Sequence, residues 1–256
     1  RDINMNITRV EGYRRFCNKL WNATKFALMK LGSDYVPPVE ASLSAEFLQF
    51  CGLPELWILQ KLSAASEGAN RNFAAFNLMT VTSAAHQFWL YEVCDVFIEA
   101  VKPVLPGSKS AADVLYLVLE QGLQLLHPMM PFLTEELWQR LPRRPQFTLP
   151  SICLAAYPQA LSASEFITSG AAKFEEIVGV VRAVRSAATD RKLPPKTSTI
   201  HVASQGPLYQ VLKENEVVVQ ALTKAAVGRV EVVEMGEGEE LPLPEGTEAA
   251  IKLFLK

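Results

Sequence analysis

The residues of this chain best suited to chemistry lie between positions 12 and 32, where basic, amide and aromatic side chains recur at intervals of three and four. These residues are Arg14, Arg15, Asn18, Lys19, Asn22, Lys25 and Phe26. Arginine and lysine bind phosphates, an asparagine amide can pair with the edge of a base, and an aromatic ring can stack on an unpaired base. The pattern predicts a face that binds single-stranded nucleic acid, with an ordinary solvated face as the alternative.

The charge of this segment differs from that of the whole chain. Residues 1–31 contain seven Lys or Arg and two acidic residues, a net charge of +5, whereas the net charge of the 256-residue chain is −2. Residues 231–250 contain seven Glu and no Lys or Arg. Positive charge concentrated in one segment of a slightly acidic protein indicates a polyanionic partner, and that partner is expected at the N-terminal segment.

A long amphipathic helix must position these basic residues. The apolar residues between them recur at helical spacing and predict one buried stripe, formed by Ile7, Val10, Cys17, Leu20, Thr24, Ala27 or Leu28, and Leu31. Helices are predicted to follow over residues 54–73, 75–102, 109–126 and 133–141, with Thr134 capping the last one. Because short loops between long helices make neighbours antiparallel, residues 1–142 are expected to form an antiparallel helical bundle.

The remainder of the chain has a different character. Residues 142–162 contain four prolines, which predict an extended Pro-rich connector at 143–162. Residues 163–256 predict a small α+β module with a helix at 164–190, a strand at 197–203, one or two helices within 207–225, and strands at 229–235 and 247–256. The predicted fold class is therefore mainly α, a helical bundle followed by a small α+β module.

Catalytic and metal sites are not expected within these residues. The chain has no P-loop, GxSxG or GxGxxG motif, and its scattered cysteines and histidines form no CxxC or HxxxH pair, which argues against zinc. We expect structural roles for Cys17, Cys51, Cys94, Cys153, His86, His127 and His201, with His127 meeting the last carbonyls of a helix. Apolar residues make up 49% of the chain without a continuous membrane-length run, which predicts a soluble globular protein.

Four stretches carry a family resemblance. They are RDIN at 1–4, CNKLWNATKFAL at 17–28, FWLYEVCDVFIEAVKP at 88–103 and HPMMPFLTEELWQRLP at 127–142. Together they resemble the C-terminal part of the valine–tRNA ligases, a family of class I aminoacyl-tRNA synthetases. The resemblance is close up to about residue 160 and looser beyond it. HPMMPF with TEELW also occurs in isoleucine– and leucine–tRNA ligases, so the equivalent region of one of those enzymes is an alternative.

The resemblance implies an anticodon-binding domain of the class I synthetase type. The whole enzyme would attach valine to its tRNA using ATP, with catalytic and editing domains upstream and, in many members, a coiled-coil arm downstream. We therefore expect this chain to be a fragment that has no catalytic site and no cofactor of its own. Cytoplasm is the expected location, with the mitochondrion as the alternative.

The resemblance also assigns roles to the basic, amide and aromatic residues between positions 14 and 26. Phosphates of the anticodon stem are expected at Arg15, Lys19 and Lys25, on a face that includes Arg14. Base edges are expected at Asn18 and Asn22 and stacking at Phe26, although the amides can instead brace helix ends and the ring can belong to the core. Arg143 and Arg144 are expected to contact the tRNA arm or to be solvated.

Several partners are implied. They are the tRNA for valine, the upstream domains of the same polypeptide, and other subunits of a synthetase complex; no membrane partner is expected. The alternative function is a protein-interaction module in which the acidic segment, residues 231–250, docks another subunit.

Overall fold

The structure is a computed structural model that describes residues 6–38, 43–145, 149–162, 164–195, 197–234 and 251–255, with only the backbone for Arg9 and for the last of these ranges. The RDIN stretch and most of the acidic segment lie outside the described residues. No helix in the described part of the chain is both long enough and apolar enough to cross a bilayer.

The elements confirm a mainly α fold followed by a small α+β module. The helices are α1 Ile7–Leu31, α2 Ala45–Leu48, α3 Leu53–Ala74, α4 Leu78–Gln87, α5 Ile98–Val101, α6 Lys109–Leu126, α7 Pro131–Gln139, α8 Glu165–Asp190, α9 Gly206–Glu214 and α10 Glu216–Thr223. A π-helical segment occupies Phe88–Phe97, and 3₁₀ turns occupy Leu105–Gly107 and Ile152–Leu154. The strands are β1 Thr199–Ser204, β2 Arg229–Glu234 and β3 Ile251–Leu255.

Helices α3 and α6 form the centre of the bundle. Helix α6 begins after Ser108, whose hydroxyl accepts a hydrogen bond from the Ala111 N–H at 3.1 Å, and it has the bounds predicted from its periodicity. Fully buried leucines on both helices, including Leu59, Leu62, Leu115 and Leu119, build the core. Burial of such side chains is the main favourable contribution to folding.

The helix predicted over residues 75–102 is continuous from Leu78 to Val101, but it begins three residues later than predicted and is π-helical over Phe88–Phe97. Helix α3 ends at Ala74. Just beyond it Phe76 has a left-handed φ of 54°, and the Asn77 N–H donates to the Asn72 carbonyl at 2.8 Å. This is the 6→1 bond that closes a helix ending in a left-handed residue. Beyond α4 the chain is π-helical, and it buries Trp89 with its Nε1–H donating to the Gly122 carbonyl at 2.8 Å.

Helix α1 buries only part of the predicted stripe. Leu20, Thr24 and Ala27 are buried as expected, but Ile7 and Val10 are 76% and 51% exposed. The prediction is therefore wrong for the first turns of α1, because no described part of the chain covers those two side chains. The prediction that Thr134 caps a helix is also wrong, since α7 begins at Pro131 and Thr134 lies within it.

The sheet has the order β2–β1–β3, with β1 parallel to β2 and antiparallel to β3. Helix α8 connects it to the bundle. The Phe174 ring of α8 lies 5.4 Å from the Trp57 ring of α3, and Arg185 of α8 donates to the Leu222 carbonyl of α10. The boundaries near residues 142 and 162 remain a prediction.

Candidate nucleic-acid interface

The exposed side of α1 carries most of the predicted binding residues. Arg14, Arg15, Asn18, Asn22 and Lys25 are all exposed. Within the described residues, no ion pair joins the two arginines or Lys25 to an acidic group. Successive helical residues turn by about 100°, which places Arg14, Asn18 and Lys25 within roughly 40° of one another around the axis. We call the side formed by these five residues the α1 face, and it presents three cations to solvent.

Lys19 lies beside this face and contacts the π-helical segment. Its Nζ is 2.7 Å from Asp95 Oδ1 and 3.3 Å from the Leu90 carbonyl, and its side chain is 34% exposed. Two of the three donors of the ammonium are therefore engaged within the protein. A phosphate contact by Lys19 remains a prediction, and such a contact would have to share the ammonium with Asp95.

Phe26 is half-buried and packs against the bundle core. The Nζ atoms of Lys102 and Lys30 lie 5.2 Å and 5.9 Å from its ring centroid, which are cation–π distances. Stacking of a base on Phe26 remains a prediction. The ring lies one helical turn after Asn22, among protein neighbours that a base would have to join or displace.

Trp21, an aromatic residue beside the α1 face, was not among the predicted binding residues. Trp21 is 37% exposed, and the Arg140 guanidinium carbon lies 5.0 Å from its ring centroid. Arg140 follows the last residue of α7, where its Nε donates to Glu136 at 3.0 Å. The spacing could have revealed the tryptophan, because Trp21 lies three residues after Asn18 and four before Lys25. A half-exposed ring beside a guanidinium is a platform on which a base can stack.

Arg143 and Arg144 have different environments. Arg143 is exposed, and its guanidinium carbon lies 4.1 Å from the Trp138 ring centroid. Arg144 is buried, with Nη2 2.6 Å from Glu120 Oε2 and Nη1 2.7 Å from the Pro38 carbonyl. Burial alone would lower the pKa of Arg144, but hydrogen bonding and attraction to Glu120 raise it. The prediction that Arg144 contacts tRNA or is solvated is therefore wrong, because its charge is neutralised inside the protein.

Comparisons with known proteins bear on the identity of this fold. Residues 55–204, from Glu55 of α3 to Ser204 of β1, match the family model described as the anticodon-binding domain of tRNA ligase. The chain is 47% identical over 192 residues to a valine–tRNA ligase of Schizosaccharomyces pombe, a match that covers 73% of this chain and 19% of the relative.

Two further relatives align along nearly all of the chain. The human valine–tRNA ligase is 40% identical over 260 aligned positions, covering 98% of this chain and 20% of the relative. The mitochondrial valine–tRNA ligase of Saccharomyces cerevisiae is 38% identical over 247 aligned positions, which cover 94% of this chain and 22% of the relative. The chain thus spans about one fifth of the length of the curated relatives it matches. Since the family model covers more than half of the chain, this protein belongs to the anticodon-binding domain family of tRNA ligases, in the form found in valine–tRNA ligases.

Proposed function

We propose that this chain is the tRNA-binding part of a valine–tRNA ligase and that it binds the anticodon arm of the tRNA for valine. The match of residues 55–204 to the anticodon-binding family carries the proposal. The relatives named as valine–tRNA ligases support valine over isoleucine or leucine.

The α1 face is the proposed contact surface. Arg14 and Lys25 lie about 16 Å apart along the helix axis, at about 1.5 Å per residue, so these cations and Arg15 can meet successive phosphates. Asn18 and Asn22 lie between them and can pair with base edges. Trp21 adds a ring that can stack on an unpaired base of the loop. Lys19 and Phe26 contribute from the margin of this surface if their contacts with the protein open.

The chemistry of the proposed whole enzyme would occur elsewhere in its polypeptide. Valine would be activated with ATP and joined to tRNA by an upstream catalytic domain, with an upstream editing domain as a second neighbour. The part described here would hold the tRNA and needs no cofactor to do so. Other synthetase-complex subunits are proposed as further partners. We propose the cytoplasm as the location, with the mitochondrion as the alternative because relatives include mitochondrial ligases.

Neutralising the α1 face tests the proposal. The triple variant Arg14→Gln, Arg15→Gln, Lys25→Gln should bind the tRNA for valine more than tenfold more weakly at moderate salt. Each lost phosphate contact reduces the slope of log affinity against log salt by about 0.7 to 0.9, so the slope should fall by about 2 to 3. Affinity is measured by fluorescence anisotropy with labelled tRNA over a range of ionic strengths.

A matched control removes the same charge elsewhere. Lys173, Arg182 and Lys224 are exposed on α8 and just after α10, and their triple Gln variant should bind as the wild type does. Equal losses in the two triple variants would reject the α1 face as the contact surface. Equal affinity of the wild type for the tRNAs of valine, isoleucine and leucine would reject selective binding of the tRNA for valine.

A further inference from the structure

Three side chains with metal-ligating atoms converge where the connector meets the bundle. Among the described residues, His127 after α6, Glu135 in α7 and Cys153 in a 3₁₀ turn place one ligand atom each within 4.8 Å of the others. The His127 Nε2 and Cys153 Sγ atoms are 3.0 Å apart. None of these residues belongs to the α1 face, so the cluster has no part in the proposed tRNA contact.

Thr134 can hold His127 in the tautomer that a metal site needs. The Thr134 hydroxyl is fully buried and can donate its one hydrogen to the Met130 or the Pro131 carbonyl, at 2.9 Å and 3.3 Å. With the hydrogen placed there, the hydroxyl oxygen accepts from His127 Nδ1–H, which lies 2.6 Å away. The lone pair of Nε2 then points toward Cys153 Sγ. Metal-bound histidines are oriented in this way, with the second nitrogen donating to a neighbouring group.

Glu135 is held as a carboxylate at the same place. Its Oε2 accepts from the Ser151 hydroxyl at 2.7 Å and from the Ile152 N–H at 3.1 Å, and its Oε1 accepts from Gln139 at 2.6 Å. These three hydrogen bonds fix the carboxyl group beside the other two ligand atoms.

We propose that His127 Nε2, Cys153 Sγ and a Glu135 carboxylate oxygen bind one Zn²⁺ ion. Nitrogen, sulfur and carboxylate oxygen are the donors that zinc prefers in tetrahedral sites. Zinc bond lengths imply a separation of about 3.5 Å between nitrogen and sulfur ligands, so the two side chains need to move apart by only about 0.5 Å. Water takes the fourth position because Cys153 is exposed. The thiol releases its proton to solvent as the ion binds.

Such an ion would fasten the connector to the bundle. Cys153 lies in the connector, whereas His127 and Glu135 belong to the end of α6 and to α7. The protein already joins these segments through Ser151 and Ile152, which contact Glu135. A bound ion adds a stronger link between the same segments and stabilises the folded state, because the unfolded chain does not hold the three ligands together.

Cobalt substitution tests the site directly, and the experiment uses the full-length natural protein that includes these residues. Co²⁺ added to the metal-free protein should produce a thiolate-to-cobalt charge-transfer band that Zn²⁺ abolishes. The variant Cys153→Ser should lack this charge-transfer band, whereas Cys51→Ser, which alters a half-buried thiol in the loop between α2 and α3, should retain it. An identical spectrum in the wild type and Cys153→Ser overturns the proposal, as does equal loss in both variants.

A positioning residue gives a second test. Thr134→Val removes the acceptor for His127 Nδ1–H and should weaken Zn²⁺ binding about 10- to 100-fold. Thr134→Ser keeps the hydroxyl and should restore the affinity. Zn²⁺ should raise the Tm of the wild type and Thr134→Ser but not that of Cys153→Ser. If the wild type shows no Tm shift and no competition with a chromogenic zinc chelator, the site does not exist.

Discussion

Arg143 and Arg144 are adjacent in the chain, yet only one of them is available to a partner. The Arg144 side chain is 7% exposed and that of its partner Glu120 is 9% exposed. The Tyr116 hydroxyl lies 3.2 Å from the same Glu120 carboxylate and 2.9 Å from the Pro142 carbonyl. A buried ion pair costs a great deal of free energy when one partner is removed, since the remaining charge is left without compensation.

Removal of one partner of the Arg144–Glu120 pair should therefore lower the free energy of unfolding much more than removal of both. We expect Arg144→Met to lower the free energy of unfolding by about 3–5 kcal/mol, and Arg144→Met combined with Glu120→Leu to recover most of that loss. Arg143→Met serves as the control and should cost about 1 kcal/mol or less, because it loses only a contact with the Trp138 ring and an exposed hydrogen bond to Gln139. Urea denaturation measures the free energy of unfolding of all three variants. Similar losses of stability in Arg144→Met and Arg143→Met would contradict this account.

Helix α8 is the element that the bundle and the α+β module share. Its Glu175 accepts a hydrogen bond from Trp57 Nε1 at 2.8 Å and forms an ion pair with Lys61, both on α3. Burial tends to raise the pKa of Glu175, but these α3 contacts hold it below its usual value. A close approach at Gly170 lets the two helices meet, since an added Cβ there would lie 2.3 Å from Leu56 Cδ1 and 3.0 Å from Leu56 Cβ.

Two glycines on α8 should therefore respond in opposite directions to alanine. Gly170→Ala should destabilise the protein by about 1–3 kcal/mol, because the new methyl group overlaps Leu56. Gly179→Ala meets nothing within 4 Å and should stabilise it by about 0.5–1 kcal/mol, because alanine favours the helix. Thermal and urea unfolding measure both changes. Equal stability of the Gly170→Ala and Gly179→Ala variants would contradict the close packing of α8 on α3 at Gly170.

In the molecule as a whole, one hydrophobic core extends from the bundle into the α+β module. Buried side chains of α3 contact those of α8, and the opposite end of α8 packs on α9 and α10, which lie against the sheet. Phe174 is fully buried in the first part of this core. Because α8 belongs to both parts, loss of its packing should weaken both.

Phe174→Ala should lower the free energy of unfolding by about 3–5 kcal/mol, through lost burial and the remaining cavity. The change should appear equally in tryptophan fluorescence, which reports the bundle, and in hydrogen exchange of β1 amides, which reports the module. If β1 kept its wild-type protection while the fluorescence transition moved, the two parts would unfold independently and the shared core would not couple them.

The elements predicted best from the sequence are those with strong local signals. Helix α6 has the predicted bounds because its apolar residues recur over many turns and Ser108 caps it. The strands lie close to the predicted ranges because each is a short apolar run between turn residues. The break between α3 and α4 was predicted, but the left-handed Phe76 within it and the π-helical segment were not, since neither feature has a clear signal in residue type. In the π-helical segment, Trp89 packs closely against Gly122 of α6, a contact between distant parts of the chain.

The sequence by itself determined the mainly α class, the row of basic residues on the first helix and the family resemblance, because helical periodicity and motif order are local properties. Only the tertiary structure decided which charges are available. Lys19 contacts Asp95 and Arg144 contacts Glu120, whereas Arg15 and Lys25 face solvent. The tertiary structure also brought Cys153 to His127, which no spacing motif could reveal. These contacts join residues 24 to 76 positions apart, and chain folding rather than local propensity sets such distances.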